Sequence, residues 1–155
     1  MTRYIAIDGM GGSGKTYLSG LLAERLGARL FHLDDFGNDY EPFVGVPGLL
    51  DAVRAATDDV VIYEGVGVFD SRLDELQPFR ILVRVPDVVR QGRIAGRDVP
   101  RDGRTAADWK EIWDIWYEAE AEYFSRALQD KADVVVGAVD GQFDVDELTE
   151  RLRIA

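Results

Sequence analysis

Apolar residues follow two rhythms along the chain, short unbroken runs and longer stretches with helical spacing, and the two alternate. Arg3-Tyr4-Ile5-Ala6-Ile7 is a strand-forming run that stops at Asp8-Gly9. After a glycine-dense turn, Leu18, Leu21, Leu22 and Leu26 recur at helical spacing up to Gly27, a C-terminal stop. Leu30-Phe31-His32-Leu33 predicts a second strand ending at Asp34-Asp35. Residues 36–46 carry Gly37, Asn38, Asp39, Pro42 and Gly45 and predict a loop. Pro47 suits the first turn of a helix whose buried stripe is Leu49, Leu50 and Val53.

The second half repeats the alternation. Val60-Val61-Ile62-Tyr63 predicts a strand ending in Glu64-Gly65, and a short helix capped by Asp70 is expected over 71–77. A strand over 79–85 stops at Pro86, and 87–97 reads as a basic helix. Pro100, Arg101, Asp102 and Gly103 break the pattern, and Thr105 with Asp108 resembles a capping box. Trp109, Ile112, Trp113, Trp116, Tyr123, Phe124 and Leu128 predict one long helix with an aromatic face, expected to pack in the core. Val134-Val135-Val136 is a last strand, and Val145, Leu148 and Leu152 mark a closing helix. Solidly apolar strands alternating with helices imply a parallel sheet covered on both faces. No repeat or linker divides residues 1–155, so a single α/β domain is expected.

Composition narrows the chemistry. With 18 Lys+Arg against 29 Asp+Glu, the 155-residue chain has a formal net charge of -11, which disfavours nucleic acid and anionic membranes as partners. Cysteine is absent, which removes disulfides, thiolate metal sites and cysteine nucleophiles; His32 is the single histidine, so a histidine metal cluster is excluded. No apolar run is long enough to span a bilayer, no charged-then-apolar leader precedes the first strand, and a cytoplasmic protein is expected.

Gly9-Met10-Gly11-Gly12-Ser13-Gly14-Lys15-Thr16 satisfies G-x-x-x-x-G-K-[ST], the Walker A pattern, between a strand and an amphipathic helix. Glycines let main-chain N–H groups curl around phosphate oxygens, and the helix N-terminus adds partial positive charge. Gly9, Gly11, Gly12, Ser13, Gly14, Lys15 and Thr16 are the candidate nucleotide-binding residues, with Lys15 reaching the phosphates and the Thr16 hydroxyl reaching Mg²⁺. The only asparagine, Asn38, precedes Asp39, so an Asn-Lys-x-Asp guanine reader is missing and small-molecule kinases fit best. Asp34, Asp35 and Glu64 end strands where ligands gather in open parallel sheets. A carboxylate there can orient and deprotonate an acceptor hydroxyl; the alternative for Asp34 and Asp35 is a solvated, capped turn.

Ile7-Asp8-Gly9 through Thr16, His32-Leu33-Asp34-Asp35-Phe36, Val61-Ile62-Tyr63-Glu64-Gly65 and Arg90-x-x-Arg93-x-x-x-Arg97-Asp98 resemble, in order, the motifs of the uridine kinase family. The resemblance implies a P-loop NTPase fold with a five-stranded parallel sheet in the order 2-3-1-4-5. It also implies ATP and Mg²⁺, with Asp34 as catalytic base and Glu64 in the shell of magnesium-bound water. A lid over 87–104 would carry Arg90, Arg93 and Arg97 onto the transferring phosphate. Their i, i+3, i+7 spacing puts the three on one helical face, and the alternative is an exposed, salt-bridged helix. The segment after the last strand, 137–141, would pass near adenine.

Gly37 stands where the family often has tyrosine, Ile94 where it often has arginine, and the stretch from Asp35 to Glu64 is short, so the acceptor side is remodelled. Tyr40 and Phe43, with Asp35, are candidate acceptor contacts, while His32 is expected to be a hydrogen-bonded strand residue. The expected activity is transfer of the ATP γ-phosphoryl group to a hydroxyl of a small molecule, by a monomer or homodimer. Two alternatives stay open: an ATP-binding sensor or assembly protein without transfer, and a kinase for a non-nucleoside alcohol.

Overall fold

The computed structural model describes residues 1–37, 44–93, 106–125, 128–137 and 144–154. The continuous apolar runs are strands: β1 (Arg3–Gly9), β2 (Arg29–His32), β3 (Val60–Glu64), β4 (Phe79–Arg84) and β5 (Val134–Gly137). They pair in parallel in the order β2-β3-β1-β4-β5, as the motif resemblance implied. Between them run helices α1 (Lys15–Leu26), α2 (Val46–Ala55), α3 (described over 87–93), α4 (Ala106–Phe124) and α5 (Leu128–Lys131), and α6 (Val145–Ile154) follows β5. Two 3-10 segments, η1 (Leu33–Phe36) and η2 (Ser71–Leu76), follow β2 and β3.

Strand parity divides the core in two. Ile5, Ile7, Ile62, Ile81 and Val83 point to the face covered by Leu18 and Leu22 of α1 and Val145, Leu148 and Leu152 of α6. Ala6, Val61, Tyr63 and Leu82 point to the other face, under Val46, Leu49 and Val53 of α2, Leu73 of η2 and Tyr123 of α4. The same alternation decides where polar residues at the strand ends go. Asp8, next after Ile7, turns toward Phe69 in the segment before η2 and toward α4, and Glu64, next after Tyr63, turns toward α1.

Several boundaries differ from expectation. Leu33 does not extend β2. Pairing with β3 ends at His32↔Glu64, Leu33 turns into the core at 1% exposure, and Asp34 and Asp35 lie on a 3-10 turn instead of a strand end. The element after Asp70 is also 3-10, with the Asp70 carboxylate accepting from Arg72 N at 2.9 Å. β4 stops at Arg84, one residue before the expected Val85. The long helix ends at Phe124, and Leu128 opens the separate α5. Tyr40, Phe43, Ile94, Arg97, Thr105 and residues 138–141 lie outside the described residues. Among the described residues no helix is long and apolar enough to cross a membrane.

Candidate functional site

The loop between β1 and α1 is built for close approach. A Cβ on Gly9 would lie 2.6 Å from the Val83 carbonyl oxygen, so only glycine lets β1 turn beside β4. Gly14 caps α1 in the left-handed region at φ 96°, and no side chain caps the helix, which leaves its end amides as anion donors. Ser13 N donates to Met10 O at 3.1 Å and closes the turn, while the fully buried Ser13 hydroxyl has no partner among the described residues. Lys15 is 8% exposed and folds back across the loop, its Nζ donating to Met10 O at 3.3 Å.

Below this cradle, the Thr16 hydroxyl donates to Glu64 Oε1 at 3.1 Å, and His32 Nδ1 lies 2.6 Å from the same oxygen. His32 is thus the bonded strand residue expected, at the end of β2. Among the described residues no group of three or more His, Cys, Asp or Glu is placed to hold a metal. Mg²⁺ does not need one: it keeps its waters and takes one or two protein oxygens plus phosphate oxygens. A threonine hydroxyl and a carboxylate in contact at the start of α1 fit that demand.

Two buried carboxylates outside the expected set complete the site. Asp8, fully buried, accepts from Gly9 N (2.7 Å), Phe69 N (3.0 Å), Gly67 N (3.3 Å) and the Tyr123 hydroxyl (2.6 Å). Burial pushes its carboxyl up to about 6, against the pull of Tyr123, the amides and Lys15. Glu120 projects from α4 onto the loop, where Gly11 N donates to both of its oxygens at 3.2 Å. Burial raises its carboxyl as well; Lys15, the Gly11 amide and Arg90 pull it down, and Asp34 pushes it up.

Two of the arginines expected in the lid, Arg90 and Arg93, reach the same loop. Arg90 is 1% exposed; its guanidinium donates to Gly11 O at 3.1 Å and to Asp87 at 2.5 Å, and lies 5.0 Å over the Trp113 ring. Arg93, one turn on, donates to Gly12 O at 3.1 Å. The expected shared face of Arg90 and Arg93 is therefore the one turned to the phosphate loop, not to solvent. Asp34 and Asp35 are exposed on η1, and the charge of Asp34 is felt at Glu120. The structure thus gathers Gly9 to Thr16, Glu64, Asp34, Arg90 and Arg93 at the carboxyl edge of the sheet.

Asp8, Glu120, Tyr123 and Trp113 are the site residues that sequence reasoning passed over. Only Asp8 carried a usable signal, as the polar residue ending an apolar strand at the Walker A motif. The aromatic face of α4, expected in the core, does bury Tyr123, but Trp113 stacks on Arg90 instead.

No protein-family model and no curated protein sequence matches the chain. Solved structures do match over nearly its whole length. TT1252 from Thermus thermophilus superposes with a TM-score of 0.64 at 18% identity, covering 99% of this chain and 97% of that one. A shikimate kinase from Bacteroides thetaiotaomicron gives 0.61 at 17% identity, with 98% and 96% covered. The shikimate kinase from Acinetobacter baumannii, solved in complex with shikimate, gives 0.59 at 17%, with 99% and 92% covered. With the strand order, these likenesses show that the chain shares the fold of those proteins.

Proposed function

We propose that this chain is a small-molecule kinase that moves the γ-phosphoryl group of Mg²⁺-bound ATP to a hydroxyl. The observation that carries the reading is the Walker A loop, with Lys15 folded across it and the Thr16 hydroxyl touching Glu64. That two proteins of the same fold are shikimate kinases supports an alcohol acceptor. The motif order favours the uridine kinase-like branch, with a nucleoside or another alcohol as acceptor.

Phosphoryl transfer asks a protein mainly for positioning and charge. Amides of Gly11 to Lys15 and the Lys15 ammonium hold the polyphosphate. Thr16 and Glu64 would hold Mg²⁺, which supplies neutralisation of the β- and γ-phosphate oxygens. Asp34, exposed on η1, orients the hydroxyl and takes its proton. Arg90 and Arg93 bring guanidiniums to the loop edge where charge spreads during transfer. Arg97 is assigned by the motif to the same lid, and Asp35, with Tyr40 and Phe43 from the segment that follows it in sequence, is proposed for the acceptor contacts.

Asp34→Asn should abolish acceptor-dependent ADP release while leaving the Kd for ATP within about threefold of the wild type, because the loop is untouched. Lys15→Ala should weaken both binding and transfer. Incubating the protein with Mg²⁺, ATP and a panel of nucleosides, sugars and other alcohols tests the reading. Unchanged turnover in Asp34→Asn would remove the assigned base. ATP binding without turnover on any alcohol would favour a nucleotide-sensing protein, an outcome to which the short segment before β3 lends some support.

A further inference from the structure

We infer that Glu120 stands in the place of the transferring phosphoryl group and so decides between a nucleoside diphosphate and a triphosphate in this loop. The inference rests on the nucleotide-binding reading above and goes beyond it.

Both Glu120 oxygens lie 3.2 Å from Gly11 N, an amide of the phosphate loop, at 9% residue exposure. Arg90 Nη1, which also donates to the Gly11 carbonyl, is 3.9 Å from Glu120 Oε2. Lys15 pulls the Glu120 carboxyl down electrostatically and Asp34 pushes it up. Glu120 therefore sits on an amide of the phosphate loop beside Arg90, where a phosphoryl group leaving the nucleotide would meet the same donors. A carboxylate meets those donors much as a phosphoryl group would: it is anionic and presents more than one oxygen to an N–H.

The seat is shaped for this residue. A Cβ on Gly11 would lie 3.1 Å from Glu120 Oε1, so the missing side chain is what lets the carboxylate down onto the amide. One helical turn further along α4, the Tyr123 hydroxyl is held by Asp8 at 2.6 Å and by Phe69 N at 3.1 Å. That anchor sets the height of α4 over the loop, and Tyr123 and Glu120 lie three residues apart on one helical face. A diphosphate can fill the α1 end of the loop with Glu120 seated. A third phosphate must displace it, exchanging one anion for another at the same donors.

The test compares Kd values for Mg²⁺-ADP and the Mg²⁺ complex of a non-hydrolysable ATP analogue by calorimetry. Wild type should bind ADP at least as tightly as the analogue; a wild type that prefers the triphosphate by about tenfold or more overturns the inference. Glu120→Gln and Glu120→Ala should tighten the analogue relative to ADP by about tenfold, the size expected when a charge-assisted contact no longer competes. Glu118→Gln, an equal charge change at an exposed α4 position, should leave the ratio where it was. A ratio unmoved in both Glu120 variants, or moved as far by Glu118→Gln, overturns the inference while leaving the nucleotide reading intact. If neither nucleotide binds wild type or variants with normal melting curves, both fail together.

Discussion

At the scale of single residues, Asp8 has no contact with solvent and yet is surrounded by donors. Gly9 N, Gly67 N, Phe69 N and the Tyr123 hydroxyl all point at its two oxygens, an arrangement that suits an ionised carboxylate. Burial outweighs them and lifts the carboxyl from 3.8 to about 6. The folded state therefore holds the proton more tightly than the unfolded chain. The stability this confers is fully present below about pH 4 and is lost as pH rises through about 6, after which it is flat.

Tyr123→Phe removes a bond that pulls this carboxyl down, so the folded value should climb further. The substitution should cost about 1 kcal/mol at pH 4, where Asp8 is neutral, and about 2 kcal/mol at pH 7.5, where a charged acceptor is deprived. Urea unfolding of both proteins across that range measures the difference directly. A penalty independent of pH would show that Asp8 does not titrate there. Asp8→Asn should erase the Asp8 part of the slope and still destabilise, since its NH₂ would face N–H donors at one oxygen position.

Among elements, α3 is held by what it does to the loop. Arg90 reaches Gly11 O and Asp87 and stacks on Trp113 at once, a combination a flat guanidinium can make and an ammonium cannot. Arg90→Lys should keep the charge and lose the geometry. A fall in kcat of about 100-fold with the Kd for ADP little changed is the expected result, measured by steady-state turnover and calorimetry. A fall in ADP affinity alone would mean that Arg90 only braces the loop.

The elements differ in how far the sequence announces them. Strands such as Val60–Glu64 are legible because a parallel sheet covered on both faces needs unbroken apolar runs. The turn at Leu33–Phe36 is not, because the apolar Leu33 continues the strand pattern and leaves it only to fill space in the core. Lys15, Thr16 and Glu64 could be named in advance because local spacing defines the loop and an acidic strand end marks its neighbour. Glu120 could not. It lies 109 positions from the amide it binds, in a helix rich in carboxylates, and only the docking of α4 singles it out. Tyr123 was readable as a core aromatic, and its hydroxyl became informative only once strand parity turned Asp8 toward it.

For the whole molecule, the sign of the field around the site is unusual for a protein read as binding a polyanion. The formal net charge is -11, and the site itself sets Lys15, Arg90 and Arg93 among Asp8, Asp34, Glu64 and Glu120. A nucleotide approaching through solvent meets a repulsive potential before it reaches the amides and Lys15. That potential extends about 30 Å at 0.01 M ionic strength and about 8 Å at 0.15 M. Raising the salt between these limits should therefore speed ATP association, the reverse of the dependence in proteins that steer anions inward. The slope should be smaller for Mg²⁺-bound ATP than for free ATP, because the metal removes two of the charges being repelled. Stopped-flow association rates across that salt range check both statements. If the rate fell with salt, Lys15, Arg90 and Arg93 would outweigh the acidic surface. The carboxylates of the site would then govern what happens after arrival, leaving the rate of arrival to the cations.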